Sequence, residues 1–194
     1  MRKFGLILLG ILLGLPTLQA QENFKMGAKV GVNFANLVGD DPDGDLRTSF
    51  HLGLVGEIPL SERLYFGPEI LYSSQGSKEG GVESFKLDYI QIPMMARYYL
   101  TEGFNIEVGP QIGFLINSEV ESNVVGMNVD LKDYLSNIDY GVNFGLGLKW
   151  KNGLFLQGRY NLGLANIFDD LKIGSNDDFK MTNRVIQFSL GYMF

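Results

Sequence analysis

Asp139-Tyr140-Gly141-Val142-Asn143-Phe144-Gly145-Leu146-Gly147-Leu148-Lys149-Trp150 sorts into two classes by position. Its even residues are all apolar; its odd ones are all glycine, polar or charged. Successive side chains of a strand point to opposite faces, so the segment predicts a strand with one greasy face and one face of glycine and charge. Which solvent the greasy face meets decides the fold.

The same parity recurs along the chain. Phe24, Met26, Val30, Val32 and Phe34 oppose Lys25, Gly27, Lys29, Gly31 and Asn33. Phe50, Leu52, Leu54 and Ile58 oppose His51, Gly53 and Glu57, and Phe66, Ile70 and Tyr72 oppose Gly67, Glu69 and Ser73. Phe104, Ile106, Val108 and Ile112 oppose Asn105, Glu107, Gly109 and Gln111. Leu154, Leu156, Tyr160 and Leu162 oppose Gln157, Arg159 and Asn161, and Ile186, Phe188, Leu190, Tyr192 and Phe194 oppose Gln187, Ser189 and Gly191. One segment departs from the rule. Ile90, Ile92, Met94, Ala96 and Tyr98 follow it, but Phe85, Leu87 and Tyr89 sit on the other parity and Pro93 lacks a ladder donor. A β-bulge between Tyr89 and Pro93 that re-phases the faces is predicted there.

Eight strands are therefore expected. Three of the connections, Ser61-Glu62-Arg63, Thr101-Glu102-Gly103 and Lys151-Asn152-Gly153, have three residues and preserve the parity of the strands they join. Gly103 and Gly153 suit the left-handed bulge position of such loops. The other four, about 38–48, 76–84, 119–138 and 166–181, read as long loops. Short turns at one rim and long loops at the other is the layout of an outer-membrane barrel, with the long loops outside the cell and both termini in the periplasm.

The first twenty residues have a different character. Arg2 and Lys3 precede an uncharged run from Phe4 to Leu15, then Pro16 and Leu18-Gln19-Ala20, the layout of a secretory signal cleaved after Ala20. The expected division is a signal segment over 1–20 and a barrel over 21–194. No other run approaches the length of a membrane-spanning helix, so a membrane protein here is built from strands. Without Arg2 and Lys3 the formal charge of −6 becomes −8. That acidity excludes nucleic acid as a partner, which needs a basic footprint. With no cysteine there is no disulfide, thiol nucleophile or Cys-ligated metal.

A soluble eight-stranded barrel of lipocalin type is the alternative, with its apolar face inward. Three features oppose it. Some forty large apolar side chains exceed the interior of an eight-stranded barrel, which is just wide enough for its own side chains. The glycines gather on the polar face, where a narrow lumen needs them and a wetted surface does not. The outward aromatics gather near strand ends: Phe24, Tyr98, Phe104, Trp150, Tyr192 and Phe194 at the short-turn rim, and Phe34, Phe50, Tyr72, Phe114, Tyr140 and Tyr160 toward the other, as two interfacial girdles. The expected fold is all-β, an eight-stranded antiparallel up-and-down transmembrane β-barrel.

That choice gives the charges their places. An outward Lys or Arg at the membrane midplane costs roughly 2–4 kcal/mol, and the outward Lys86, Asp88 and Arg184 lie toward the long-loop rim, where the cost fades. Lys25, Lys29, Arg97, Lys149 and Arg159 point inward, against Glu57, Glu69, Glu107 and Asp139. The near balance predicts a cross-lumen network of paired charges and a plugged polar lumen.

Few residues suggest other chemistry. His51, the one histidine, lies near Ser49 but faces the lumen, as an interior histidine rather than a hydrolase base acting on lipid. Asp40-Asp41-Pro42-Asp43-Gly44-Asp45 resembles a cation loop, but Leu46 and Leu52 occupy positions where an EF-hand needs Gly and Glu. Leu131, Tyr134, Leu135 and Ile138 recur at helical spacing after Asp130, which predicts a short amphipathic helix at the barrel mouth. No catalytic residue, cofactor or metal is expected.

At Leu87-Asp88-Tyr89-Ile90-Gln91-Ile92-Pro93-Met94-Met95-Ala96-Arg97-Tyr98 the chain resembles the PorT-like small outer-membrane β-barrel family, which carries a Tyr-Ile-x-Ile-Pro pattern followed by aliphatic residues. Gly67-Pro68, Gly109-Pro110, the Gly-x-Gly at Gly145 and the terminal Phe194 are similar to it as well. Gln91 stands where an acidic residue is common, and Met94-Met95 where leucines are. The resemblance implies a porin-family barrel in the cell outer membrane without a defined activity, and a terminal aromatic read by the barrel insertion machinery. The expected role is structural or surface-interacting, through acidic extracellular loops. Its partners would be outer-membrane lipid, lipopolysaccharide and an extracellular or envelope protein. A narrow porin or channel for small solutes, or an accessory barrel of a protein-secretion system, is the alternative.

Overall fold

The computed structural model describes residues 24–39, 45–79, 83–122, 128–129, 135–167 and 181–194. The strands are β1 (Lys25–Gly39), β2 (Asp45–Pro59), β3 (Leu64–Glu79), β4 (Glu83–Tyr99), β5 (Phe104–Ser122), the two-residue β6 (Asn128–Val129), β7 (Ile138–Lys149), β8 (Leu154–Gly163) and β9 (Met181–Met193). Each neighbouring pair is antiparallel. The sheet runs β4-β3-β2-β1-β9-β8-β7-β5, and β4 pairs with β5 to close it into an eight-stranded barrel, with β6 hung on the end of β5. Closure gives each of the eight barrel strands two partners, which is what lets strands cross hydrocarbon that offers no water to backbone N–H and C=O groups.

Parity puts the apolar residues outside. Val30 is 55% exposed, Leu146 53% and Phe188 56%, whereas Lys29 and Glu69 are each 4% exposed. A molecule that exposes its large aliphatic residues and encloses its charges is matched to lipid, not water.

The three short turns share one chemistry. Ser61 Oγ, Thr101 Oγ1 and Asn152 Oδ1 accept the amides of Leu64, Phe104 and Leu154 at 3.2, 3.1 and 3.1 Å. Each turn thus satisfies the first amide of the returning strand with its own polar side chain. Gly153 takes the left-handed conformation at φ +93°, as expected, but Gly103 does not. Gly103 is required by contact instead, because a Cβ there would lie 2.6 Å from the Lys149 carbonyl oxygen.

One of the four connections expected to be long is short: β3 runs to Glu79 and β4 starts at Glu83, paired to the last residue. β1 runs to Gly39 and β2 starts at Asp45, but the two pair with each other only to Ala35↔Arg47; beyond that β1 follows β9 to Gly39↔Met181 and β2 follows β3 at Asp45↔Lys78. β1 to β5 have 15 to 19 residues, against 10 to 13 for β7 to β9. A span needs about 9–11, so one wall of the barrel stands well above the other.

The expected bulge in β4 is absent. β4 and β3 keep one register from Leu64↔Tyr98 to Glu79↔Glu83, and the irregularity lies on β5, where Asp88↔Asn117 is followed by Tyr89↔Leu115 and Ile116 is extra. Leu87 and Tyr89 therefore stay inward, 3% and 2% exposed, because the loop-rim end of the lumen is itself apolar. The helix expected from Leu131 to Ile138 is corrected in its described part: Leu135 forms an isolated bridge and Ile138 opens β7. Residues 131–134 and the acidic run at 40–44 lie outside the described residues, as does the signal segment.

Candidate functional site

The interior of the barrel is the candidate site, and it is built in layers from inward-facing residues. At mid-height, Lys29 from β1, Glu69 from β3, Arg97 from β4, Glu107 from β5 and Arg159 from β8 converge. Arg159 grips both carboxylates, its two Nη groups 2.9 Å from the Glu69 oxygens and its Nε 2.9 Å from Glu107 Oε1. Arg97 lies 2.5 Å from Glu69 and 3.3 Å from Glu107, and Lys29 lies 2.8 Å from Glu69. Gln157 receives Lys29 at 2.8 Å and donates to Glu107 at 2.7 Å. Removing these ions from water is costly, and only such repeated pairing offsets it. Glycine makes the room: a Cβ at Gly67 would lie 2.6 Å from Arg97 Cζ, and one at Gly145 2.6 Å from Glu107 Oε1.

Toward the short turns sits a second cluster. Glu57 Oε1 pairs with Lys149, Glu57 Oε2 accepts the Tyr99 hydroxyl at 2.8 Å, and Arg97 stands 4.0 Å away. The Lys149 ammonium lies 4.9 Å from the centre of the Tyr99 ring and 5.8 Å from that of Tyr65, within cation–π range. The two rings meet edge to face at 5.1 Å.

Above the ion pairs lies a neutral polar layer. His51 is wholly buried, its Nδ1 2.7 Å from Asn33 Oδ1 and its Nε2 2.7 Å from Ser189 Oγ. Asn33 also accepts from Gln187 and donates to Ser73. Asn161 donates to Asn143, and Asn143 to Gln111. With both ring nitrogens engaged and no path to lipid, His51 has the bonding of an interior histidine. Asp139 belongs to this level, accepting from Asn183 at 2.9 Å.

The loop-rim end is closed by grease. Leu37, Leu87, Tyr89, Leu115, Leu135 and Ile167 form one buried cluster, with Phe85 and Met181 packed against it. Leu135 and Ile167 lie outside the long strands and are tied in by backbone bonds, Ser136 N to Ile167 O at 2.9 Å and Leu115 N to Asn137 O at 3.0 Å.

Of the nine charges assigned to the lumen by parity, the structure brings seven together: Lys29, Glu57, Glu69, Arg97, Glu107, Lys149 and Arg159. Asp139 stands apart among amides. Lys25 is exposed at the short-turn rim, outside the cluster, because its strand has only just entered the barrel. The aromatic residues named for that rim face outward, with Tyr98 42%, Trp150 45%, Tyr192 48% and Phe194 75% exposed, and Phe104 half-buried. Lys86 and Asp88, near the other rim, lie 3.9 Å apart, and Lys86 also reaches Glu119 at 3.5 Å. Sequence reasoning missed Tyr99 and Gln157 as members of the network; their inward parity beside Arg97 and Arg159 was the available signal. It also missed the apolar lid, whose Leu135 and Ile167 belong to no regular pattern.

Comparison with known proteins agrees with this architecture. The family model described as outer membrane protein beta-barrel domain matches residues 19–169, and the chain belongs to that family; its place is the outer membrane. No match is found among curated protein sequences. Among solved structures, the chain is similar to Neisserial surface protein A, at 14% identity and a TM-score of 0.58, over 87% of this chain and 97% of that one. It is similar also to Ail, the attachment invasion locus protein of Yersinia pestis, at 12% identity and a TM-score of 0.50, over 88% of this chain and 98% of that one. Ail has also been solved with the heparin analogue sucrose octasulfate, with 12% identity, a TM-score of 0.50, and 88% and 99% of the two chains covered. At these identities the likeness is one of fold.

Proposed function

We propose that the protein is a sealed barrel whose work is done on its surface, a structural or surface-interaction protein that presents its loop rim to partners. The filled lumen carries this reading: paired charges at mid-height and an apolar cluster at the loop-rim end stand in series across the interior. An ion crossing it would have to replace carboxylate and guanidinium partners and then pass through a hydrocarbon plug.

The rim chemistry suggests the partner class. The segments 40–44 and 168–180 carry Asp40, Asp41, Asp43, Asp169, Asp170, Asp177 and Asp178 against Lys172 and Lys180. Acidic segments suit a basic protein surface rather than a polyanion of the kind solved with Ail. On this reading residues 1–20 are removed on export, both termini of the barrel chain lie in the periplasm, and the loop rim faces out among lipopolysaccharide. Phe194 is then the residue offered to the insertion machinery, and the Tyr89-Ile90-Gln91-Ile92-Pro93 segment makes the chain PorT-like within its family.

Reconstitution in planar bilayers tests the reading. The expected result is no resolvable unit conductance, together with capture of an envelope or extracellular protein that is lost when 40–44 and 168–180 are trimmed. Steady unit conductance that changes in Glu107→Gln or Arg159→Gln would instead make the protein a narrow solute channel.

A further inference from the structure

We propose that the short-turn mouth of the barrel is a recognition site for a primary ammonium group, the lysine side chain of a partner polypeptide, and that Lys149 is its built-in occupant. The inference concerns the rim opposite the loops and does not depend on what the loops bind.

Three observations converge on it. The first is the cage itself. Glu57, 3% exposed, is held from one side by the Tyr99 hydroxyl and by Arg97, so its carboxylate is oriented without help from Lys149. Tyr65 and Tyr99 supply two ring walls at about a right angle, 73°. A fixed carboxylate beside two aromatic faces is a receptor for an alkylammonium, because a ring face attracts a cation and a charged hydrogen bond orients it. The second is access. Lys149 is open to solvent where Glu57 is not, its side chain 19% accessible against 3% for Glu57. It sits in the floor of an open cleft of about 400 Å³ whose rim carries Glu62, Arg63, Thr101 and Glu102. The third lies beneath. A small cavity of about 20 Å³ is bordered by Glu57, Tyr99, Asn105, Lys149 and Gln157. Asn105 Oδ1, on a residue 5% exposed, is an acceptor there without a protein partner.

The cage sets the sign of the guest. The charges at the rim of the cleft balance, Glu62 and Glu102 against Arg63 and the Lys151 that pairs with Glu102 at 3.1 Å, so with Lys149 swung aside it is the Glu57 carboxylate and the two ring faces, with the Asn105 acceptor below, that select a cation. Position sets its carrier. The cleft is bordered by the turn residues Glu62, Arg63, Thr101 and Glu102, so a guest arrives from the aqueous side, where a lysine side chain of a polypeptide has the reach and the single ammonium that the cage fits. Lys149 then acts as an intramolecular competitor, closing the site until a second lysine replaces it at Glu57.

The test uses protein extracted from membranes and held in octyl glucoside, an uncharged detergent. In Lys149→Ala, n-butylammonium replaces the deleted side chain, and the expected result is saturable binding about tenfold tighter than to the unaltered protein, lost again in the Glu57→Gln/Lys149→Ala double variant. Equal affinity in all three proteins overturns the proposal. Should Lys149→Ala not fold, the unaltered protein decides: trilysine added to ¹⁵N-lysine-labelled protein is expected to move the Lys149 Nζ resonance saturably. A resonance that trilysine leaves in place, or that phosphatidylethanolamine moves and trilysine does not, overturns the assignment.

Discussion

The lumen is filled at two levels, and the described residues fill them by opposite means. At mid-height and toward the short turns the filling is electrostatic, with Arg97 and Arg159 each bonded to both Glu69 and Glu107. At the loop rim it is apolar, six buried side chains drawn partly from segments that belong to no long strand. The difference follows from what each end has available. The strands of the membrane-spanning part already commit their apolar residues to lipid, so their inner face has only charge, amide and glycine with which to fill a narrow space. At the loop rim the inward positions of β1, β4 and β5 carry Leu37, Leu87, Tyr89 and Leu115, and Leu135 and Ile167 complete their packing.

Four substitutions sharpen that contrast, in falling order of effect. Glu69→Gln removes the carboxylate shared by Lys29, Arg97 and Arg159 and leaves buried cations short of a partner. A loss of about 3–5 kcal/mol is expected in urea unfolding from lipid vesicles; a loss below ~1 kcal/mol would mean the electrostatic seal is not structural. Leu87→Ala opens a void in the apolar lid and is expected to cost about 2–4 kcal/mol in the same assay. An unchanged stability would show that the lid is loosely packed. The smallest effects come from a matched pair of glycines on the lumen wall. Gly145→Ala drives a Cβ to within 2.6 Å of Glu107 Oε1 and 2.9 Å of the Gly158 carbonyl oxygen, and is expected to cost about 1–3 kcal/mol. Gly113→Ala meets nothing closer than 3.4 Å and is expected to be neutral or to stabilise by up to ~1 kcal/mol. Reversal of that order would mean the lumen glycines serve the backbone and not the network.

Much of this molecule was legible in advance because lipid imposes a simple rule. A strand that faces hydrocarbon on one side must be apolar at every second residue, and Tyr140 to Trp150 or Ile186 to Phe194 states that rule without ambiguity. The rule failed where its premise failed. Leu87 and Tyr89 were assigned to a re-phased outer face because apolar residues were assumed to face lipid, yet they keep inward parity and line the apolar cluster at the loop rim. The segment 76–84 was taken for a loop because its pattern turns polar, yet β3 and β4 stay paired through it to Glu79↔Glu83, since a backbone ladder needs no apolar face. The bulge was sought in β4, which holds the irregular residues, and lies across the ladder at Ile116 of β5.

The chain by itself determined the number of strands, which face meets lipid, the short turns and the set of charges that point inward, because each of these depends on neighbours one, two or three residues apart. Only closure of the barrel decided which charges meet. Glu69 and Arg159 are ninety residues apart and become partners through the stagger of eight strands around a closed ring. The cage of Glu57, Tyr65, Tyr99 and Lys149 draws on four strands. Parity places a side chain inside, but only the geometry of the ring decides what it finds there.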